Sequence, residues 1–127
     1  MAENRKQPRR SLMSYSQVVD LYGAQRIGYL ADINLLGAMV IGDKSMAVDN
    51  ALTLQIEVPD LSGVTDKHLT LPARVVWCQP DLSPEFFNIG FEFKVVLPAQ
   101  KKVIQALIET YEFRREPPKY PFRAATK

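Results

Sequence analysis

Three stretches in the middle of this chain alternate apolar and polar residues, and that pattern constrains the fold more than any other feature. In Leu52-Thr53-Leu54-Gln55-Ile56-Glu57-Val58 every apolar side chain falls on one face. Leu69, Leu71, Ala73, Val75 and Trp77 do the same against His68, Thr70, Pro72 and Arg74, as do Phe87, Ile89, Phe91 and Phe93 against Asn88, Gly90 and Glu92. A period of two is the mark of a strand with one buried face. Segments 15–21, 26–33 and 37–41 also read as strands. Turn signals separate the runs at Tyr22-Gly23, Gly42-Asp43, Asp49-Asn50, 59–63 and 80–84. Short strands following closely on one another predict an antiparallel barrel or sandwich, here of six strands.

The period then changes. Beyond Pro98, a favoured first-turn residue, Val103, Ile104, Leu107, Ile108 and Tyr111 recur at helical spacing, with Lys101, Lys102, Gln105, Glu109 and Glu112 opposite. This predicts an amphipathic helix of about four turns whose apolar face covers the barrel. Pro117, Pro118 and Pro121 end the pattern. The expected organisation is a basic N-terminal arm over 1–11, a barrel plus helix over 12–113, and an irregular Pro-rich basic tail over 114–127.

With 127 residues the chain fits one domain. No apolar run approaches the ~20 residues of a membrane span, and no apolar segment follows the basic start as a secretory signal would require. One cysteine, Cys78, excludes an intrachain disulfide and fits a reducing, cytoplasmic setting. The formal net charge of +2 is unevenly spread: residues 1–10 carry +3 and 114–127 carry +4, leaving −5 for the body between. An acidic body with basic ends argues against a broad DNA- or RNA-binding face. It suits a basic arm that captures a small anion.

Enzymatic readings find little support. The single histidine, His68, lies on a polar strand face, and one His with one Cys cannot make a zinc site. Cys78 has no neighbouring base in sequence, and no phosphate-binding glycine loop is present. The expectation is a non-catalytic domain with no metal and no cofactor.

Two constellations remain. Arg5-Lys6-Gln7-Pro8-Arg9-Arg10 precedes the first strand, with three residues between Arg5 and Arg9. Guanidinium forks suit phosphates and the O6/N7 edge of guanine, although a basic terminus also serves as a plain solvated tail. Asp32-Ile33-Asn34-Leu35-Leu36-Gly37 joins two predicted strands. In extended chain Asp32 and Asn34 share a face. An ionised Asp accepts two hydrogen bonds from a guanine edge, while Asn both donates and accepts. Gly37 permits a turn or a close approach. The structural alternative is a hairpin corner built on an Asx-type turn.

The two constellations together, in register with the strand pattern, resemble the PilZ family, in which an R-x-x-x-R motif precedes a D/N-x-S-x-x-G motif. Arg5 and Arg9 match the first. Asp32, Asn34 and Gly37 match the second, with Asn34 where serine is usual. Ala73-Arg74-Val75-Val76-Trp77 and Ile89-Gly90-Phe91-Glu92-Phe93 look like later barrel strands of that family. The resemblance spans about residues 4–112.

It implies a split-barrel-type fold that binds cyclic di-GMP between the arginine segment and the outer barrel face. Arg5 and Arg9 would then meet phosphate and guanine, with Arg10 as an auxiliary contact or turned to solvent. Asp32 and Asn34 would bond a guanine edge, and Gly37 would keep the surface clear. Trp77 has two readings: alternation puts it with Leu71 and Val75, filling the end of the barrel, whereas on the surface it would stack on a base. If Asn34 loses one neutral hydrogen bond relative to serine, the cost is about 0.5–1.5 kcal/mol, roughly three- to tenfold in affinity. The resemblance further implies signalling by a change of shape to a downstream protein partner, with no membrane insertion. The alternatives are a PilZ-like adaptor that binds no nucleotide and a small barrel for single-stranded nucleic acid.

Overall fold

The computed structural model describes residues 10–11 and 16–112, with Arg10, Ser11 and Glu112 described through their backbone. The rest of the expected arm and the expected tail lie outside the described residues. In chain order the elements are β1 (Arg10–Ser11), β2 (Gln17–Asp20), β3 (Gln25–Ile33), β4 (Gly37–Gly42), β5 (Ala51–Glu57), β6 (His68–Pro80), β7 (Phe87–Phe93), α1 (Pro98–Thr110) and β8 (Tyr111–Glu112). Six of the strands close into a barrel in the order β2-β3-β4-β7-β6-β5. Each neighbouring pair is antiparallel. The fold is therefore the mainly β, six-stranded antiparallel barrel with a C-terminal helix that the alternation predicts. The parallel pair β1–β8, which stands apart from the barrel sheet, has no counterpart in the strand pattern.

The alternating residues form the core as their period requires. Leu54, Ile56, Leu69, Leu71, Ala73, Val75, Ile89, Phe91 and Phe93 belong to one buried cluster with Val18, Leu30, Ile33 and Val40. Leu52 and Phe87 pack against the cluster half-buried, whereas half-buried Trp77 stands outside it.

Helix α1 adds Val103, Ile104 and Leu107 to the same cluster. Its start is held by one side chain with two tasks. Gln100 Oε1 accepts the Leu97 N–H at 2.9 Å, and Gln100 Nε2 donates to the Thr70 carbonyl of β6 at 2.8 Å. The first bond satisfies an amide ahead of the helix, and the second fastens the helix to the barrel. No helix among the described residues is long and apolar enough to cross a membrane.

The helical period extends to Tyr111, but the helix stops at Thr110. Tyr111 is extended (φ −120°, ψ 152°), donates its N–H to the Leu107 carbonyl, and begins β8. Its side chain remains buried, 5% exposed. Burial of the side chain accounts for the apolar period, while pairing with β1 accounts for the change of backbone.

Leu107 is fully buried at this helix–barrel contact. Leu107→Ala is expected to lower the unfolding free energy in urea melts by about 2–5 kcal/mol. A loss below about 1 kcal/mol would show that α1 adds little to the core.

Candidate functional site

Two breaks in strand alternation place the candidate residues. On β3, Leu30 faces Val40 across the ladder, but the next partner of β4 is Asp32, which faces Met39. Ala31 is the extra residue of a β-bulge. Leu30 and Ile33 both point into the core cluster, so the bulge turns Asp32 outward. On β6, Val75 faces Phe91 while Trp77 faces Gly90, which makes Val76 the extra residue.

This corrects the expectation that Trp77 shares the inner face of Leu71 and Val75. The bulge carries it to the outside, and Cys78, facing Ile89, returns to the core side. A Cβ added to Gly90 would lie 2.2 Å from Trp77 Nε1 and 2.3 Å from Cε2, so the indole rests directly on this glycine. The bulge is held from the loop between β4 and β5. Val75 donates its N–H to the Asn50 carbonyl at 2.9 Å and accepts the Asp49 N–H at 2.8 Å.

These registers combine into one row across four strands on the outer wall. Asp32 pairs with Met39, Met39 with Gly90, and Gly90 with Trp77. Three strand spacings separate the ends, roughly 14 Å. Asp32 and Trp77 are half-buried at the two ends, and Met39, 8% exposed, lies between them on the floor. Asp32 Oδ1 accepts the N–H of Ile33 at 2.9 Å.

The turn after β3 closes one side of this row. Asn34 Oδ1 accepts the N–H groups of Leu36 at 2.7 Å and Gly37 at 3.0 Å. The Asn34 N–H donates to the Gly37 carbonyl at 2.9 Å. Asn34 therefore does not continue the strand face of Asp32; its carbonyl oxygen shapes an Asx-type turn. Serine can take the same role through its hydroxyl, so asparagine at this position keeps the turn intact.

Gly37 is required by close packing. A Cβ there would lie 2.0 Å from the Phe91 carbonyl oxygen of β7. The turn is also tied to the end of β7, where the Phe93 N–H donates to the Leu36 carbonyl at 2.9 Å.

A charged cluster adjoins the turn. Gly37 faces Glu92, and Glu92 faces Arg74. The Arg74 guanidinium spans Glu92 Oε1 at 2.7 Å and Asp49 Oδ1 at 2.6 Å. Hydrogen bonds to Glu92 and then to Asp49 push its pKa further above the ordinary arginine value. Asp49 holds this position with a left-handed backbone, φ 74°.

Sequence reasoning did not single out Met39, Gly90, Arg74 or Asp49. A glycine inside a strand is a signal for close approach, and Gly90 carried that signal. Arg5 and Arg9 lie outside the described residues. Arg10 is described through its backbone, opposite Tyr111.

A family model for the PilZ domain matches residues 3–110, and the chain belongs to that family. No curated protein and no solved structure matches it. PilZ domains generally bind cyclic di-GMP or act as adaptors for other proteins, and the family is not known for catalysis.

Gly90→Ala is expected to lift the indole of the chain's sole tryptophan and to shift its fluorescence emission, while the far-UV spectrum stays that of a barrel. An unchanged emission spectrum would contradict the packing of Trp77 on Gly90. Asn34→Ser is expected to stay within about 0.5 kcal/mol of the parent in urea melts, whereas Asn34→Ala loses about 1 kcal/mol because two amides lose their acceptor.

Proposed function

We propose that this domain is a receptor for cyclic di-GMP, bound on the outer wall of the barrel along the row from Asp32 to Trp77. The observation that carries the reading is that row itself. It offers a carboxylate at one end, an aromatic ring at the other, and a floor of Met39 and Gly90 between them. A guanine laid over the floor would give its amide and amine edge to the Asp32 carboxylate, a charge-assisted pairing. The indole of Trp77 offers a stacking surface.

Arg5 and Arg9 would clamp phosphates and a guanine O6/N7 edge as planar forks, with Arg10 as an auxiliary contact. Asn34 and Gly37 would act by holding the turn that borders the base. Closing of the arginine segment over the ligand would then change the surface offered to a protein partner. Family membership supports the ligand class, and the net charge of +3 on residues 1–10 supports anion capture. The chemistry needed is recognition alone.

Calorimetric titration with cyclic di-GMP tests the reading. Micromolar or tighter binding is expected for the wild type. Arg9→Ala and Asp32→Ala each remove a charge-assisted contact, and each is expected to weaken binding by roughly tenfold to a hundredfold. Quenching of Trp77 fluorescence on titration would report a base at that end of the row. Absence of heat and of any fluorescence change at high ligand concentration would overturn the receptor reading in favour of an adaptor that works through protein contacts.

A further inference from the structure

The outer wall continues past the row from Asp32 to Trp77. One step further along the same ladders, Tyr29 faces Ile41, Ile41 faces Asn88 and Asn88 faces Gln79. On β4, β6 and β7 the step is two residues, roughly 7 Å. Tyr29 and Ile41 stand outside the core cluster, so this second row faces outward as the first does.

A further break in register brings a cation to it. Val18 faces Gly28 while Val19 faces Arg26, which makes Ile27 an extra residue of β3. Ile27 packs against the core cluster, and exposed Arg26 is carried to the outer side with Tyr29. There the Arg26 guanidinium lies 5.7 Å from the centre of the Tyr29 ring. A guanidinium seated over an aromatic face keeps the N–H fork in its own plane available to another partner. An open cleft of about 270 Å³ adjoins Arg26, bordered also by Lys44 of the β4–β5 loop and by Asp20. Arg26 thus has a platform beneath it and room beside it.

We propose that Arg26, positioned by Tyr29, binds a phosphate of the cyclic dinucleotide whose guanine edge is held by Asp32. This rests on the receptor reading of the outer wall, and it uses residues outside both sequence motifs. Tyr29 and Asp32 are outward neighbours on β3, with Arg26 beyond Tyr29. A guanine nucleotide carries its amide and amine edge at one end and its phosphate at the other. A carboxylate repels phosphate, and a guanidinium offers nothing to a donor edge. The two side chains on one strand therefore fix which way round the ligand lies on the wall.

Calorimetric titration of variants with cyclic di-GMP tests this. Arg26 is exposed, so Arg26→Ala is expected to keep the wild-type thermal midpoint. It is expected to weaken binding roughly tenfold, the loss of one charge-assisted contact. That factor is expected to shrink at high salt, which screens an exposed charge pair. Tyr29→Leu removes the platform and leaves the guanidinium, with an expected loss of about two- to fivefold. Tyr29→Phe keeps the ring and is expected to bind as the wild type does. The double variant Arg26→Ala with Tyr29→Leu is expected to lose no more than Arg26→Ala alone, because Tyr29 acts through Arg26.

Wild-type affinity in Arg26→Ala, alongside weakened binding in Asp32→Ala, would overturn the Arg26 contact and leave the receptor reading intact. Losses that add in the double variant would refute the positioning role of Tyr29. An Arg26→Ala penalty that is the same at low and high salt would refute phosphate as the group bound. No binding by the wild type would overturn the receptor reading, and this contact with it.

Discussion

Pairing of β2 with β5 closes the sheet, with Val18 opposite Ile56 and Asp20 opposite Leu54, and the rest of the molecule depends on that closure. A closed sheet has no free edge and an interior of fixed size. Here Val18, Leu30, Val40, Leu54, Ile56, Leu71, Val75 and Ile89 fill it, with α1 contributing Ile104 and Leu107. Strict alternation from Leu30 would send the next residue but one, Asp32, inward among these side chains. An ionised carboxylate without partners in such a core is costly. The bulge at Ala31 removes the conflict, and the bulge at Val76 does the same for Trp77, whose indole would otherwise compete for the volume held by Val75 and its neighbours. These two breaks thus each deliver a functional candidate to the outer wall, and they meet in one row.

The turn beside this row shows structure and proposed recognition resting on the same atoms. Asn34 spends its carbonyl oxygen on two backbone amides, and Gly37 lets β4 approach the Phe91 carbonyl more closely than any side chain would allow. A motif read as ligand contacts is in the first place a way to build a tight corner beside the row from Asp32 to Trp77. That accounts for asparagine in place of serine: the corner needs a short side chain with an acceptor oxygen. The neighbouring Arg74 bridge to Glu92 and Asp49 ties β6, β7 and the β4–β5 loop together beside the corner.

Charge distribution and topology point the same way at the two ends of the chain. Basic ends flank an acidic body, and the first described residues pair with the last. The parallel ladder β1–β8 sets the segment that follows the arginine pair beside the end of α1.

Strand positions, the inward faces of β5, β6 and β7, and the helix after Pro98 were legible in the sequence, because each depends on a local period that a buried face imposes on its own residues. The same holds for the turn at Asn34–Gly37, whose hydrogen bonds are nearly all made within the segment. The sequence by itself also determined which residue types were available for an anionic, base-bearing ligand: the arginine pair, Asp32 and a lone tryptophan. The outward placement of Trp77, the row from Asp32 to Trp77 and the ladder joining Arg10–Ser11 to Tyr111–Glu112 were decided only by the tertiary structure. Each is a matter of hydrogen-bond register between strands distant in sequence. A bulge shifts register by one residue without changing the local composition, and a parallel partner from the far end of the chain leaves no periodic trace in either strand.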